Sequence, residues 1–145
     1  MTTQQDSSGN EAPKFGVLVV AHGDLPETLV KVVEKILGAP IEAEAVSVGW
    51  NDEVGSIRQK IEEAMKRANR GRGVLILTDM FGGTPTNVTL PFLKAGDVEI
   101  VTGVNLPMII KIAHQKEDEN LDSLARSVLE QGQSSIRVAS EFLHP

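Results

Sequence analysis

Two residues in this chain have the type and the placement for acid–base or phosphoryl chemistry. His22 follows the apolar run at 15–21, FGVLVVA, and Asp79 follows the apolar run at 74–78, VLILT. Histidine is the side chain whose ordinary pKa lies nearest neutrality, so it can serve as nucleophile or base at pH 7. A carboxylate bonded to one ring nitrogen fixes the tautomer, leaves the other nitrogen's lone pair free and stabilises positive charge as that nitrogen reacts. Shortly after Asp79 comes Gly82-Gly83-Thr84-Pro85. Backbone amides after a glycine pair, at the start of a helix, can hold an anion such as phosphate, and Thr84 adds a hydroxyl. Together these groups suit the gain and loss of a phosphoryl group on a histidine nitrogen. Each also has a plainer use: His22 as a loop residue, Asp79 capping a turn, the glycines as a tight turn, Thr84 as an N-cap, and Asp24, close to His22, as another cap.

Whether these groups meet depends on the elements that carry them. The runs at 15–21 and 74–78 are short, apolar throughout and rich in Val, Leu and Ile, the pattern of strands buried on both faces of a parallel sheet. Residues 42–48 and 97–102 supply a second and a fourth strand, the second less buried. Helices alternate with them. The first opens at Asp24, with Pro26 in its first turn and Glu27 three residues on as a capping-box partner, buries Leu29, Val32, Val33 and Ile36, and stops at Gly38 and Pro40. The second is capped by Asp52 and carries Val54, Ile57, Ile61, Met65 and Ala68 on one face. A third starts at Thr84 with Pro85 in the first position and runs to about Leu93, kinked or ended by Pro91. A short helix at 108–114 and another through Leu121, Leu124, Val128 and Leu129, ended by Gly132, follow. The tail SSIRVAS alternates at Ile136 and Val138 and reads as a short final strand.

Strands alternating with helices imply a three-layer, doubly wound α/β fold with a mostly parallel sheet. The expected strand order is 2-1-3-4, with the last short strand at an edge. In such sheets sites form where the winding reverses, at the carboxyl ends of the strands. Here that point lies between strands 1 and 3, which brings His22 and Asp79 into one crevice. His114 and His144 read as incidental, Trp50 as core or interface packing, and residues 116–119 as a solvated loop.

Composition narrows the remaining possibilities. The 145 residues are one domain's worth, with a polar leader expected at 1–14 and the folded domain at 15–145. Fourteen Lys and Arg stand against 20 Asp and Glu, a net charge of -6, which disfavours a phosphate backbone as partner. Aromatics are 3% of the chain, too few for stacking single-stranded bases. With no cysteine there is no disulfide, thiolate metal site or cysteine nucleophile. No metal site or cofactor is expected. Walker, dinucleotide and hydrolase-elbow motifs are absent. No run is long enough for a membrane span and the leader is no signal peptide, so the expected location is the cytoplasm.

Three segments, VLVVAHGDLPETLVKVVEKILG (17–38), GVLILTDMFGGTPTN (73–87) and VEIVTGVNLPMI (98–109), resemble the enzyme IIA component of the mannose-family phosphotransferase system. The resemblance implies that His22 receives a phosphoryl group from the small phosphocarrier protein HPr and passes it to a histidine of a IIB component, which phosphorylates sugar during uptake. It implies that Asp79 hydrogen-bonds the active histidine, that Thr84 lies near the phosphate beside Gly83, and that the chain is a homodimer exchanging its last strand. Any link to the membrane components IIC and IID would run through IIB alone. Leu25, Met80, Phe81 and Leu106 are the expected docking surface around the site. The chain stops at Pro145 where many members continue into IIB, so a separate acceptor is expected. Phe81 stands where the family commonly has Trp. A regulatory phosphorelay uncoupled from transport and a subunit serving dihydroxyacetone phosphorylation remain as rival readings.

Overall fold

The computed structural model describes residues 14–143. The polar leader, apart from Lys14, and His144 lie outside the described residues. Four strands, β1 (Gly16–His22), β2 (Ala43–Val48), β3 (Val74–Thr78) and β4 (Val98–Thr102), form one sheet in the order β2-β1-β3-β4. All three pairings are parallel, and the register sets Val20 beside both Val46 and Thr78. A parallel sheet needs both faces covered, and alternate residues supply the two faces. Val17, Val19, Leu75 and Leu77 face a core closed by α1 (Leu25–Leu37), α4 (Leu106–Ala113) and α5 (Leu121–Ser134). Leu18, Val20, Val74 and Ile76 face the opposite core, closed by α2 (Val54–Ala68) and α3 (Thr84–Thr89), the latter continuing as a 3-10 turn at Leu90–Phe92.

Several local expectations are corrected. Pro26, Val30 and Val33 are the buried residues of α1, whereas Val32 and Ile36 are exposed. Apolar residues crowd this helix on two overlapping stripes, and packing chose the one rotated toward Pro26. Asp24 precedes α1 with ψ near 8° and its carboxylate caps nothing; the main-chain oxygen takes both the N–H and the hydroxyl of Thr28. Asp52 likewise does not cap α2, because its carboxylate accepts the Gly49 N–H at 2.7 Å, and Glu53 holds the cap position. Gly83, not Thr84, is the cap of α3. Gly132 does not end α5 but lies buried inside it, where an added Cβ would sit 2.7 Å from Met108 Cγ and Sδ: it is the point at which α4 and α5 approach.

The expected closing strand does not form within the chain. Residues 135–138 are irregular, with turn-like bonds from Ser135 N–H to the Gly132 carbonyl and from Ile136 N–H to the Gln133 carbonyl, and Ala139–Leu143 is a short helix, α6. A strand draws its hydrogen bonds from a neighbour; without one, the tail's amides bond locally. Ile136, Val138, Phe142 and Leu143 are left exposed.

Candidate functional site

His22 is the last residue of β1, where the strand leaves the core: the six preceding residues are buried and His22 is half-buried. Its neighbour on one side is Val48, and Gly23 N–H continues the ladder to the Val48 carbonyl at 2.9 Å. On the other side β3 ends at Thr78, paired with Val20, and the next residue, Asp79, carries its carboxylate up to His22. The carboxylate oxygen Oδ2 accepts from the His22 main-chain N–H at 3.0 Å and meets the ring Nδ1 at 2.7 Å. Both contacts fall on one oxygen. The main-chain donor fixes an acceptor at that spot, so Nδ1 must carry the proton and Nε2 holds the lone pair. The ring is 25% exposed and Asp79 14%, and among the described residues nothing hydrogen-bonds Nε2.

The electrostatics follow from that geometry. Burial acts to raise the Asp79 carboxyl, but the His22 main-chain N–H, the ring hydrogen bond and the attraction of the ring when it is charged outweigh it, and the carboxyl is held below its ordinary value. Oδ1 is buried and has no hydrogen-bond partner among the described residues.

The turn after Asp79 is braced from beneath. The Thr86 hydroxyl donates to the Met80 carbonyl at 2.6 Å, which uses its one proton. Thr78, 2.6 Å from the same hydroxyl, must therefore be the donor in that pair. These buried threonines clamp the 79–85 turn to the end of β3, and reading the sequence alone did not single them out. The clamp sets Gly83 against the ring: a Cβ there would lie 3.2 Å from His22 Cε1 and 3.7 Å from Nε2. Thr84 is exposed on the same turn, at the first position of α3.

Of the expected docking residues, Leu25, Met80 and Phe81 are exposed, while Leu106 is half-buried and packed on the core. Trp50 departs from the core alternative of its expectation. It lies in neither core but is 80% exposed, and its ring stacks on that of His22 with centroids 5.3 Å apart and planes 21° from parallel. The signal was available: Trp50 sits two residues beyond the end of β2, at the same carboxyl edge of the sheet as His22 and Asp79. No group of three or more His, Cys, Asp or Glu suited to a metal ion occurs among the described residues, and no helix there is long and apolar enough to cross a membrane.

An imidazole with one nitrogen anchored, the other open to a visitor, and a glycine turn at its edge is equipped to take a group from a docked protein. Comparison with known proteins places the chain in a family. The sequence profile of the family described as PTS system fructose IIA component (EIIA-man) matches residues 16–129. The PTS system fructose-specific EIIA component of Bacillus subtilis (strain 168) is 30% identical over 130 residues, covering 89% of each chain. The PTS system mannose-specific EIIAB component of Escherichia coli (strain K12) is 27% identical over 130 residues, which is 85% of this chain but 39% of that longer protein. Among solved structures, the mannose/sorbose-specific IIA subunit of the phosphotransferase system from Enterococcus faecalis superposes with a TM-score of 0.76 at 28% identity, over 87% of this chain and 95% of that one.

Proposed function

We propose that this chain, which belongs to the mannose-type IIA family of phosphotransferase-system components, carries a phosphoryl group on Nε2 of His22, taking it from the phosphohistidine of HPr and giving it to a histidine of a IIB component. The observation that supports this most is the 2.7 Å contact of Nδ1 with Asp79 on a half-exposed ring whose Nε2 is open. The Nε2 lone pair forms the new N–P bond as the donor's N–P bond breaks and returns its electron pair to the donor imidazole. No proton has to move, because Asp79 keeps the Nδ1 proton in place throughout. The ring gains positive charge as the bond forms, and the carboxylate stabilises that charge. Transfer to the acceptor is the same step reversed. With both partners histidines, positioning and electrostatics carry the reaction.

Gly83 and Thr84 are proposed to line the phosphoryl position. Gly83 leaves room beside Nε2, and the Thr84 hydroxyl is exposed on the same turn. Leu25, Met80 and Phe81 form an exposed apolar rim suited to docking donor and acceptor in turn. A homodimer is proposed through the tail. Past an isolated bridge between Val98 and Lys94, the outer edge of β4 has no strand partner among the described residues, a groove of 620 Å³ lined by residues including Ile100, Leu129 and Phe81 runs beside it, and the exposed Ile136 and Val138 offer an alternating segment to fill a second copy's groove. Sedimentation of the full chain at twice the monomer mass checks the dimer.

Incubation with HPr, its upstream kinase and phosphoenolpyruvate tests the carrier role. The expected result is one acid-labile phosphate per chain, absent from His22→Ala. A His22→Ala protein that still takes label on histidine overturns the assignment.

A further inference from the structure

We propose that Trp50 is a positioning residue of the phosphoacceptor site, whose indole holds the His22 ring and stabilises the cation that this ring becomes once Nε2 is phosphorylated. The inference rests on the reading of His22 as the phosphoacceptor.

A tryptophan that is 80% exposed and belongs to neither core needs a reason to stand where it does. Its loop is built to present it. The Asp52 carboxylate accepts the Gly49 N–H at 2.7 Å, Asp52 N–H returns a bond to the Gly49 carbonyl at 3.3 Å, and Lys60 Nζ ties the same carboxylate to α2 at 3.6 Å. The turn is tight enough that a Cβ on Gly49 would lie 2.8 Å from Asp52 Oδ1. Trp50 is therefore held between a strand end and a braced turn, with its ring 5.3 Å from that of His22.

The His22 ring is consequently bounded on three sides. Asp79 holds Nδ1, Gly83 abuts the Cε1 edge, and Trp50 covers a face. Nε2 is the ring nitrogen left for a reacting phosphorus. Stacking acts in every state and limits ring rotation. A second effect depends on state. A neutral imidazole becomes, on forming the N–P bond with Nδ1 still protonated, a phosphoimidazolium, and a tryptophan face attracts a cation more strongly than any other aromatic face. The attraction is present in the phosphorylated chain and largely absent from the free one. It draws the phosphoryl equilibrium toward this chain, and the carboxylate of Asp79 draws it the same way.

This separates Trp50 from a mere docking contact. The equilibrium constant for phosphoryl exchange with HPr contains only the separate free and phosphorylated proteins. A residue that touches HPr solely in the complex changes the forward and reverse rates together and leaves that constant alone. The experiment equilibrates the full chain with phospho-HPr and measures the distribution of label for wild type, Trp50→Leu and Trp50→Phe. A cation–π contact at an exposed position corresponds to a loss of about two- to fivefold in the constant for Trp50→Leu, with Trp50→Phe recovering part of it. Trp50 is the only tryptophan of the chain. Its emission should therefore fall on phosphorylation, since a cationic ring in contact accepts an electron from excited indole, and should stay unchanged in His22→Ala under the same treatment. Equal constants for wild type and Trp50→Leu, or unmoved emission in a wild-type protein that has taken the phosphate, overturn the role of Trp50 and leave the carrier reading intact. A wild-type chain that takes no phosphate at all overturns both.

Discussion

Replacing Asp79 by asparagine separates the two services that this carboxylate performs. In the Ser-His-Asp triad such a change offers an NH2 group to the ring and traps the wrong tautomer, at a cost of about 10⁴ in rate. Here the same oxygen also accepts the His22 main-chain N–H at 3.0 Å. An NH2 group at that place would face a backbone donor, so the amide oxygen keeps the position of Oδ2 and the ring keeps its proton on Nδ1. What is lost is the charge. A hydrogen bond to a charged group is worth about 1.5–3 kcal/mol and a neutral one about 1 kcal/mol. The difference, about 0.5–2 kcal/mol, corresponds to phosphorylation slowed roughly 2- to 30-fold, since each 1.36 kcal/mol is a factor of ten. Rapid-quench measurement of His22 labelling by phospho-HPr reads this directly. A loss near 10⁴ would mean that the main-chain donor does not fix the amide, and an unchanged rate would mean that Asp79 does not hold charge on the reacting ring. Because the neutral amide accepts the His22 main-chain and ring hydrogen bonds less strongly than the carboxylate, Asp79→Asn should also lower stability by about 0.5–2 kcal/mol in urea unfolding at pH 7.

Acid should remove part of the wild-type advantage. The carboxyl of Asp79 is depressed in the folded chain, so its stabilisation is complete above the ordinary carboxylate value and is lost as pH falls through the folded one. The stability gap between wild type and Asp79→Asn should narrow below about pH 4; urea titrations from pH 7 to pH 3 that show a constant gap would contradict this. Gly83→Ala places a methyl 3.2 Å from His22 Cε1 and 3.3 Å from Met80 Cγ. The backbone there is extended and needs no glycine, so folding should be little affected, while a ring displaced by a few tenths of an ångström should take phosphate roughly three- to tenfold more slowly. Equal labelling rates with an unchanged melting temperature would show that the turn does not constrain the ring.

The chain's periodicities were sufficient for the sheet. Uninterrupted apolar runs at β1 and β3, helical stripes between strands and the right-handed crossover rule lead to the order 2-1-3-4, and that order places the residues after β1 and β3 side by side. His22 and Asp79 were legible for this reason, since each stands at the end of a buried strand. Local capping was less legible. Asp24 and Asp52 have the right type at the right spacing, but Asp52 is taken by Gly49 and Asp24 enters its helix in the wrong backbone conformation. The choice between competing partners a few residues away is made by loop geometry that spacing does not encode.

Two features were decided by tertiary structure. Trp50 reaches His22 only because β2 pairs with β1 in the register that sets His22 beside Val48. An aromatic residue in isolation reads as packing, and nothing local distinguishes one that packs on a reacting ring. The tail alternates like a strand, yet residues 136–138 lie exposed beyond α5 with no strand beside them among the described residues. Alternation states which face would be buried if a neighbour were present, whereas hydrogen bonds require the neighbour itself. Sequence determined the elements and the sheet order, because burial periodicity is written along the chain. The third dimension decided which side chains close around the His22 ring, because those contacts join three separate strand ends at one edge of the sheet.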